Sequence, residues 1–417
     1  MARDSLWTHR DFRLLWAGDT VSQFGETITN TAAPLLAALV LAATPFEMGV
    51  LNAADTAAFL LVGLPAGAWV DRMRRRPLML AADLGRAVLL ASIPVTWWFG
   101  VLTLTQSILI GLVVGVLTVF FDVAYQSYLP SLVTREKLTE GNSKLQASQS
   151  VAQVSGPAIG GWLTQLAGAA NAMGVNALGF LWSATCLWRI RTAETPVVRS
   201  PDRNLRREIA EGLRFVFGNR SLVAIVSCTG SSNFFSSMIG AVGVLLLTRN
   251  LGASPGIVGL LLAGGGLGGV LGALLSNRIS TWLGQGRTIW VSIAVTSPFG
   301  LLIPLVGHGW LLSLYGLGWL VYSFGAVVYN IAQVSFRQAI CPDRLLGRMN
   351  ASVRFMVWGT IPLGALVGGV LGTLIGIRPT MWVGAVGMMF AALPLLFSPL
   401  RKLRDLPTGV EEPEAAN

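Results

Sequence analysis

The chain has 417 residues, of which 53% are hydrophobic and only 12% charged, with a formal net charge of +10. A soluble domain carries roughly 25% charged residues, so this composition excludes a water-soluble globular protein and makes lipid the solvent for most of the chain. The cationic excess does not indicate a nucleic-acid binder, because the arginines fall in short segments between apolar stretches, where they set membrane orientation and meet anionic lipid.

A helix needs about 20 apolar residues to cross the hydrocarbon core. Twelve stretches satisfy this, near residues 12–40, 46–70, 77–100, 103–130, 141–168, 170–190, 221–249, 254–282, 287–306, 310–335, 345–373 and 378–398. With the N-terminus inside, Arg72, Arg74, Arg75, Arg76, Arg135, Lys137 and the arginines of 190–220 all face the cytoplasm, and only Arg249 and Arg378 lie outside. This asymmetry predicts that both termini are cytoplasmic, and the excess of arginine over the three lysines, Lys137, Lys144 and Lys402, points to a bacterial inner membrane. Met1 to Arg13 is polar and the first apolar stretch is too long for a cleavable signal peptide. The predicted organisation is an N-terminal six-helix bundle (1–190), a cytoplasmic linker with an amphipathic helix (191–220), a C-terminal six-helix bundle (221–400) and a cytoplasmic tail (401–417).

Taken in chain order, the first helix places Asp19, Gln23, Glu26 and Asn30 on one face, which predicts a cavity-lining stripe. A charge at the bilayer centre costs roughly 2.5–3.5 kcal/mol on insertion scales, so such acids must line a cavity, pair or carry protons. Glu26 has no cation at helical spacing and is the first candidate for proton coupling; a protonated structural carboxyl is its alternative. Asp55 in the second helix, one turn from Asn52, is the second candidate. In the third helix Asp83 and Arg86 are three residues apart and are expected to pair as a structural unit. Gln126 extends the polar lining in the fourth helix, and Gln146, Gln149 and Gln153 share one face of the fifth. In the tenth, Tyr315, Tyr322 and Tyr329 recur by heptads with Gln333 one turn beyond. These groups suit a large amphipathic ligand, with interhelical hydrogen bonding as the alternative.

The strongest internal signal is a pattern that occurs twice, 208 residues apart. Asn142 precedes Gly156, Gly160 and Gly161, and Asn350 precedes Gly364, Gly368 and Gly369 with identical spacing. Duplication in a polytopic helical protein is a known route to a transporter whose substrate site lies between two halves. Cys186, Cys228 and Cys341 are scattered and His9 and His308 isolated, so neither a disulfide nor a metal site is expected. The glycine run 264–269 has no following Lys-Ser/Thr and no preceding strand, and is a helix-packing face rather than a phosphate loop.

The segment Gly67-Ala68-Trp69-Val70-Asp71-Arg72-Met73-Arg74-Arg75-Arg76 resembles the G-x-x-x-D-R-x-G-R-R loop of the major facilitator superfamily, departing only at Arg74. Gly156-Pro157-Ala158-Ile159-Gly160-Gly161 is similar to the core of that superfamily's antiporter pattern, with Pro157 replaced by Ala365 in the second half. Tyr128 to Val133, Leu138, Asn142 and Phe12 to Trp16 look most like the branch containing macrolide and enterobactin exporters.

The resemblance implies an all-α integral membrane protein of twelve transmembrane helices in two pseudo-symmetric six-helix bundles. It implies a cytoplasmic latch of Gly67, Asp71, Arg72, Arg75 and Arg76, joined by Asp122 and Arg354. It also implies a secondary transporter, not an enzyme, that exports lipophilic small molecules in exchange for protons. Its expected partners are a small-molecule substrate, protons and membrane lipids; no cofactor and no nucleic acid is expected, and a monomer suffices. Alternatives are a narrow siderophore or natural-product exporter, a lipid or lysolipid flippase, and, last, a non-transporting membrane sensor.

Overall fold

The computed structural model describes residues 6–70, 72–134, 137–192 and 205–404, and every regular element among them is helical. The helices are α1 (Arg10–Leu39), α2 (Pro45–Val70), α3 (Arg75–Trp98), α4 (Leu104–Leu132), α5 (Leu138–Ala167), α6 (Ala169–Arg189), α7 (Leu205–Gly218), α8 (Arg220–Leu245), α9 (Pro255–Leu283), α10 (Gln285–Thr296), α11 (Ser313–Ile340), α12 (Asp343–Trp358), α13 (Thr360–Leu374), α14 (Ile377–Phe390) and α15 (Leu393–Leu396). Each of the twelve apolar stretches is helical. Among the described residues, eight segments, from Pro45–Gly63 to Ile377–Leu396, are long and apolar enough by themselves to cross a membrane. The helices α1 and α5, 30 residues each, are also long enough, but Asp19, Gln23 and Glu26 interrupt the first and Gln146, Gln149 and Gln153 the second.

Three stretches are broken rather than continuous. The ninth runs as α10 to Thr296 and tightens into a 3-10 segment, Ser297–Leu302, where Pro298 supplies no N–H to the helical ladder. The eleventh divides into α12 and α13 at Gly359, just ahead of Pro362, and the last into α14 and α15, with Pro394 in the first turn of α15. At two junctions a single glycine reverses the chain. Gly168 (φ 85°) ends α5 and starts α6, and Gly284 (φ 87°) does the same between α9 and α10, a backbone region costly for any other residue.

Packing divides the chain into two compact units. The first comprises Met1–Pro201, Met238–Gly266 and Ala365–Thr380. In it α1 packs on α5 and α6, α3 on α4 and α6, and α2 on α4. One apolar core gathers Phe12, Leu15, Met79, Phe121, Tyr128 and Leu187, and another Ile28, Leu36, Leu90, Ile93, Met173 and Phe180. Asp11, at the polar start of α1, accepts hydrogen bonds from Arg191 N (3.1 Å), Thr192 N (2.9 Å) and Thr192 Oγ1 (2.6 Å), which anchors the chain as it leaves α6. Burial opposes the charge, but these bonds outweigh it and hold the Asp11 carboxyl below its ordinary range. The anchor is therefore fully present above the unfolded value near 3.9 and is lost as pH falls through the lower folded value. Asp11→Ala is expected to weaken the anchor by about 1–3 kcal/mol and to speed proteolytic cleavage just after α6 at neutral pH; an unchanged cleavage rate would show that the anchor contributes nothing.

The second unit comprises Asp202–Ser237, Leu267–Gly364 and Met381–Asn417. Its α10 packs on α11, and α7, in the linker region, packs on α12. Gly212 and Val216 are buried there, a Cβ on Gly212 would collide with Ser352 Oγ and the Arg348 carbonyl, and Glu211 pairs with Arg348. The tail of the second unit is tied in by Gly286 N, which donates to Arg404 O at 2.9 Å.

Candidate functional site

Within the first unit, α1, α3, α4 and α6 enclose a polar cluster. Asp19 is buried beside Gln23 and Tyr125, and the negative charges of Glu26 and Asp83 reach it. Glu26, two turns further along α1, is half-buried, makes no hydrogen bond to a described residue and lies in electrostatic reach of Arg86. Asn30, at the end of the stripe, is exposed. The stripe is possible because Gly18 and Gly25 bring α1 close to α6: a Cβ on Gly18 would lie 3.2 Å from Cys186 Cβ, and one on Gly25 would collide with the Asn176 amide. Asn176 donates to Thr29 Oγ1 at 2.7 Å across the same contact.

Arg86 is 2% exposed and donates to Asp83 Oδ1 at 2.5 Å and to Thr118 Oγ1 at 3.2 Å. Its guanidinium carbon sits 4.4 Å from the Phe121 ring centre and 4.1 Å from that of Phe180. Asp55 occupies a separate position on α2, with its carboxyl against Gly111 of α4 and its carbonyl against Gly115. The structure thus brings Asp19, Gln23 and Glu26 together with Asp83 and Arg86, and leaves Asp55 apart. Gln126 and Gln146 are exposed, Gln149 is half-buried and Gln153 exposed, its carbonyl against Gly266.

In the second unit Tyr315, Tyr322, Tyr329 and Gln333 are all buried. The Tyr329 hydroxyl bonds to Thr229 Oγ1 (2.8 Å) and to Ile225 O (3.1 Å), so it ties α11 to α8. Gln333 Nε2 donates to Asn330 Oδ1 at 2.8 Å.

Of the latch residues, Gly67 lies in α2 and Arg72 is exposed, while Asp71 falls outside the described residues. Arg75 opens α3. Arg76 reaches back within its own unit, donating to Leu187 O (2.9 Å) and Trp188 O (2.5 Å), where it satisfies carbonyls at the C-terminal end of α6. Asp122 is exposed, and Arg354 lies over the Trp358 ring at 4.3 Å.

The glycine motif does two jobs. Gly156 and Gly160 accept the Thr27–Thr31 turn of α1, and a Cβ on Gly160 would sit 3.0 Å from Ile28 Cα. Gly161 faces the opposite way, onto the start of α9, where its added Cβ would be 2.8 Å from Gly259 Cα. The repeat copies this contact: a Cβ on Gly369 would be 3.0 Å from Gly49 Cα, at the start of α2. The receiving segments, Pro45 to Gly49 and Pro255 to Gly259, are themselves a repeat of the form P-x-x-x-G, 210 residues apart. Sequence reasoning overlooked this pair, although its spacing was there to be read. Beside it Arg249, in a π-helical turn that follows α8, donates to Ala38 O at 2.8 Å and so holds the C-terminal end of α1.

This is the architecture of a multi-pass membrane transporter of the major facilitator fold, not of an enzyme. Solved structures agree: a bacterial homologue of the iron transporter ferroportin in an inward-facing state superposes with a TM-score of 0.74 at 17% identity, covering 93% of this chain and 98% of that one. The nucleoside transporter NupG does so with a TM-score of 0.73 at 13% identity, covering 93% and 98%. The chain belongs to the transmembrane secretion effector family, whose pattern matches residues 5–413. Among curated relatives, the multidrug efflux pump Tap of Mycolicibacterium fortuitum is 29% identical over 400 residues, covering 92% of this chain and 93% of its own. Macrolide efflux protein A of Streptococcus pyogenes is 22% identical over 403 residues, covering 95% and 97%.

Proposed function

We propose that the protein exports lipophilic, drug-like small molecules across the bacterial inner membrane in exchange for protons, by alternating access, with both termini in the cytoplasm. The observation that carries this reading is the α1 stripe. Asp19 and Glu26 are carboxyls inside a spanning helix, and among the described residues the one buried cation beside them, Arg86, is already bonded to Asp83. A carboxyl so placed is stable when protonated and gains access to water only when the surrounding helices part, which is what exchange requires. The named activities of the Tap and macrolide relatives favour outward movement of drugs. The membrane potential supplies about 2.3 kcal/mol per charge per 100 mV, enough for one proton per cycle to drive an uncharged substrate to about fifty-fold accumulation. Gln23 lines the proton site, with Asp55 as a second proton carrier. In the first unit Asn30, Gln126, Gln146, Gln149 and Gln153 are the groups proposed to hydrogen-bond a substrate; in the second, taken by itself, Tyr322, Tyr329 and Gln333 are proposed to offer aromatic and amide surface.

Alternating access needs surfaces that pack and release. Gly161 on Gly259 and Gly369 on Gly49 act as one such pair of surfaces, and the motif-bearing loop with Gly67, Asp71, Arg72, Arg75 and Arg76, together with Asp122, as the cytoplasmic one.

The purified protein in liposomes, given an imposed pH gradient, is expected to move ethidium, tetraphenylphosphonium or erythromycin against its concentration gradient, and to stop when a protonophore collapses the pH difference. Movement unaffected by the protonophore would exclude proton coupling. Failure to move any of the three would turn the reading towards a narrow natural product or a lipid.

A further inference from the structure

The Asp83–Arg86 pair invites a structural explanation, since its partners are three residues apart on one helix, but its surroundings do not fit that explanation alone. Asp83 is fully buried and Arg86 is 2% exposed, yet Arg86 Nε has no hydrogen-bond partner, and beyond Arg86 the Asp83 carboxyl has only a loose contact with the Ser183 hydroxyl. A pair retained only to stabilise α3 would be expected to have its remaining polar atoms satisfied, because each buried orphan costs free energy. The guanidinium is instead held by the faces of Phe121 and Phe180, which fix its position without using its donors.

The charges around it do not balance. The groups in reach are Asp19 and Glu26 from α1, Asp83 from α3, and Tyr125 from α4 with Asp122 beyond it; α6 contributes the neutral Ser183, and Cys186 where it packs on Gly18. Among the described residues, three carboxyls of the cluster, Asp19, Glu26 and Asp83, therefore share a single cation. In a low-dielectric interior one cation cannot keep three carboxyls ionised, so their protons are distributed over the group as a coupled set.

We propose that Arg86 is a positioning residue for the proton site: caged by Phe121 and Phe180, it is a counter-ion shared by Asp83 and Glu26, and its balance between them determines how readily Glu26 takes up and releases its proton. This rests on the reading of Glu26 as the proton carrier. Asp83 works against the proton's release, because its negative charge neutralises Arg86 and repels a second anion. Arg86 works for release, because it stabilises the Glu26 carboxylate. The two residues thus act in opposite senses on the same group, which no general loosening of the bundle would imitate.

The test needs no substrate. Infrared spectra of the purified full-length protein, recorded through a pH titration, report protonated buried carboxyls by their carbonyl stretch. Glu26→Gln is expected to remove one titrating component. Asp83→Asn, which preserves volume and a hydrogen bond to Arg86, is expected to move the midpoint of that component down by about one pH unit, a tenfold weaker hold on the proton. Arg86→Gln is expected to move it up by about as much, and Arg86→Lys to leave it within about half a unit of wild type. Arg86→Gln leaves Asp83 buried without its cation and is the variant at risk of misfolding; Asp83→Asn alone then decides. If Glu26→Gln removes the component but Asp83→Asn leaves its midpoint unmoved, or shifts it in the same direction as Arg86→Gln, the shared counter-ion is overturned and Glu26 stands. If Glu26→Gln removes nothing, the proton-carrier reading falls and this inference falls with it.

Discussion

Replacing Gly161 with leucine is expected to slow transport by about tenfold to hundredfold while the protein still inserts and folds. The Cβ alone would lie 2.8 Å from Gly259 Cα and collide with the Pro255 carbonyl, and both obstacles are backbone. Neither can rotate away as a side chain would, so the α5 and α9 backbones must separate. Overpacking of this kind costs about 1–3 kcal/mol, and each 1.4 kcal/mol is a factor of ten in the population of the packed arrangement. A cycle that passes through this packing at each turnover slows accordingly. The internal repeat makes the prediction double: Gly369→Leu, which meets Gly49 in the same way, should give a comparable loss. Gly240→Leu is the control, since a Cβ there meets nothing within 4 Å. Initial rates of ethidium movement at equal reconstituted protein decide the matter, and a wild-type rate for Gly161→Leu would remove this contact from the cycle.

The second large effect is expected at Glu26. Glutamine preserves the volume and hydrogen-bonding capacity of the protonated carboxyl but cannot lose a proton. Glu26→Gln should therefore abolish accumulation driven by a pH gradient, while exchange of labelled for unlabelled substrate at equal pH on both sides continues. Losing both activities would point to a structural role, since the bundle would then have lost its binding competence as well. Retaining gradient-driven accumulation would exclude Glu26 and turn attention to Asp19, one side of the same cluster, or to Asp55 on α2, whose carboxyl rests against Gly111 outside that cluster.

The twelve apolar stretches and the transporter class were legible in the sequence because membranes impose a strong rule. Every backbone polar group in hydrocarbon must be satisfied within its own segment, so about 20 apolar residues in a row become a helix whatever surrounds them. The breaks at Ser297 and Gly359 were less legible, because a proline weakens a helix without determining whether neighbours will hold it straight. The charged stripe on α1 could be read from helical spacing alone, since Asp19, Gln23 and Glu26 lie along one helix.

What the sequence by itself determined is thus whatever depends on one helix at a time: span, the repeat, and which acids share a face. Tertiary structure alone decided which groups from different helices meet. Arg86 is three residues from Asp83 in the chain, but its cage of Phe121 and Phe180 and its reach to Glu26 arise from α1, α4 and α6. Arg76, read as part of a latch, has carbonyls of α6 as its hydrogen-bond acceptors, and Gly161 meets a glycine 98 positions away. The physical reason is that helix pairing within a bilayer is set by close packing of small residues and a few polar contacts, not by hydrophobicity, which is nearly uniform along such a chain.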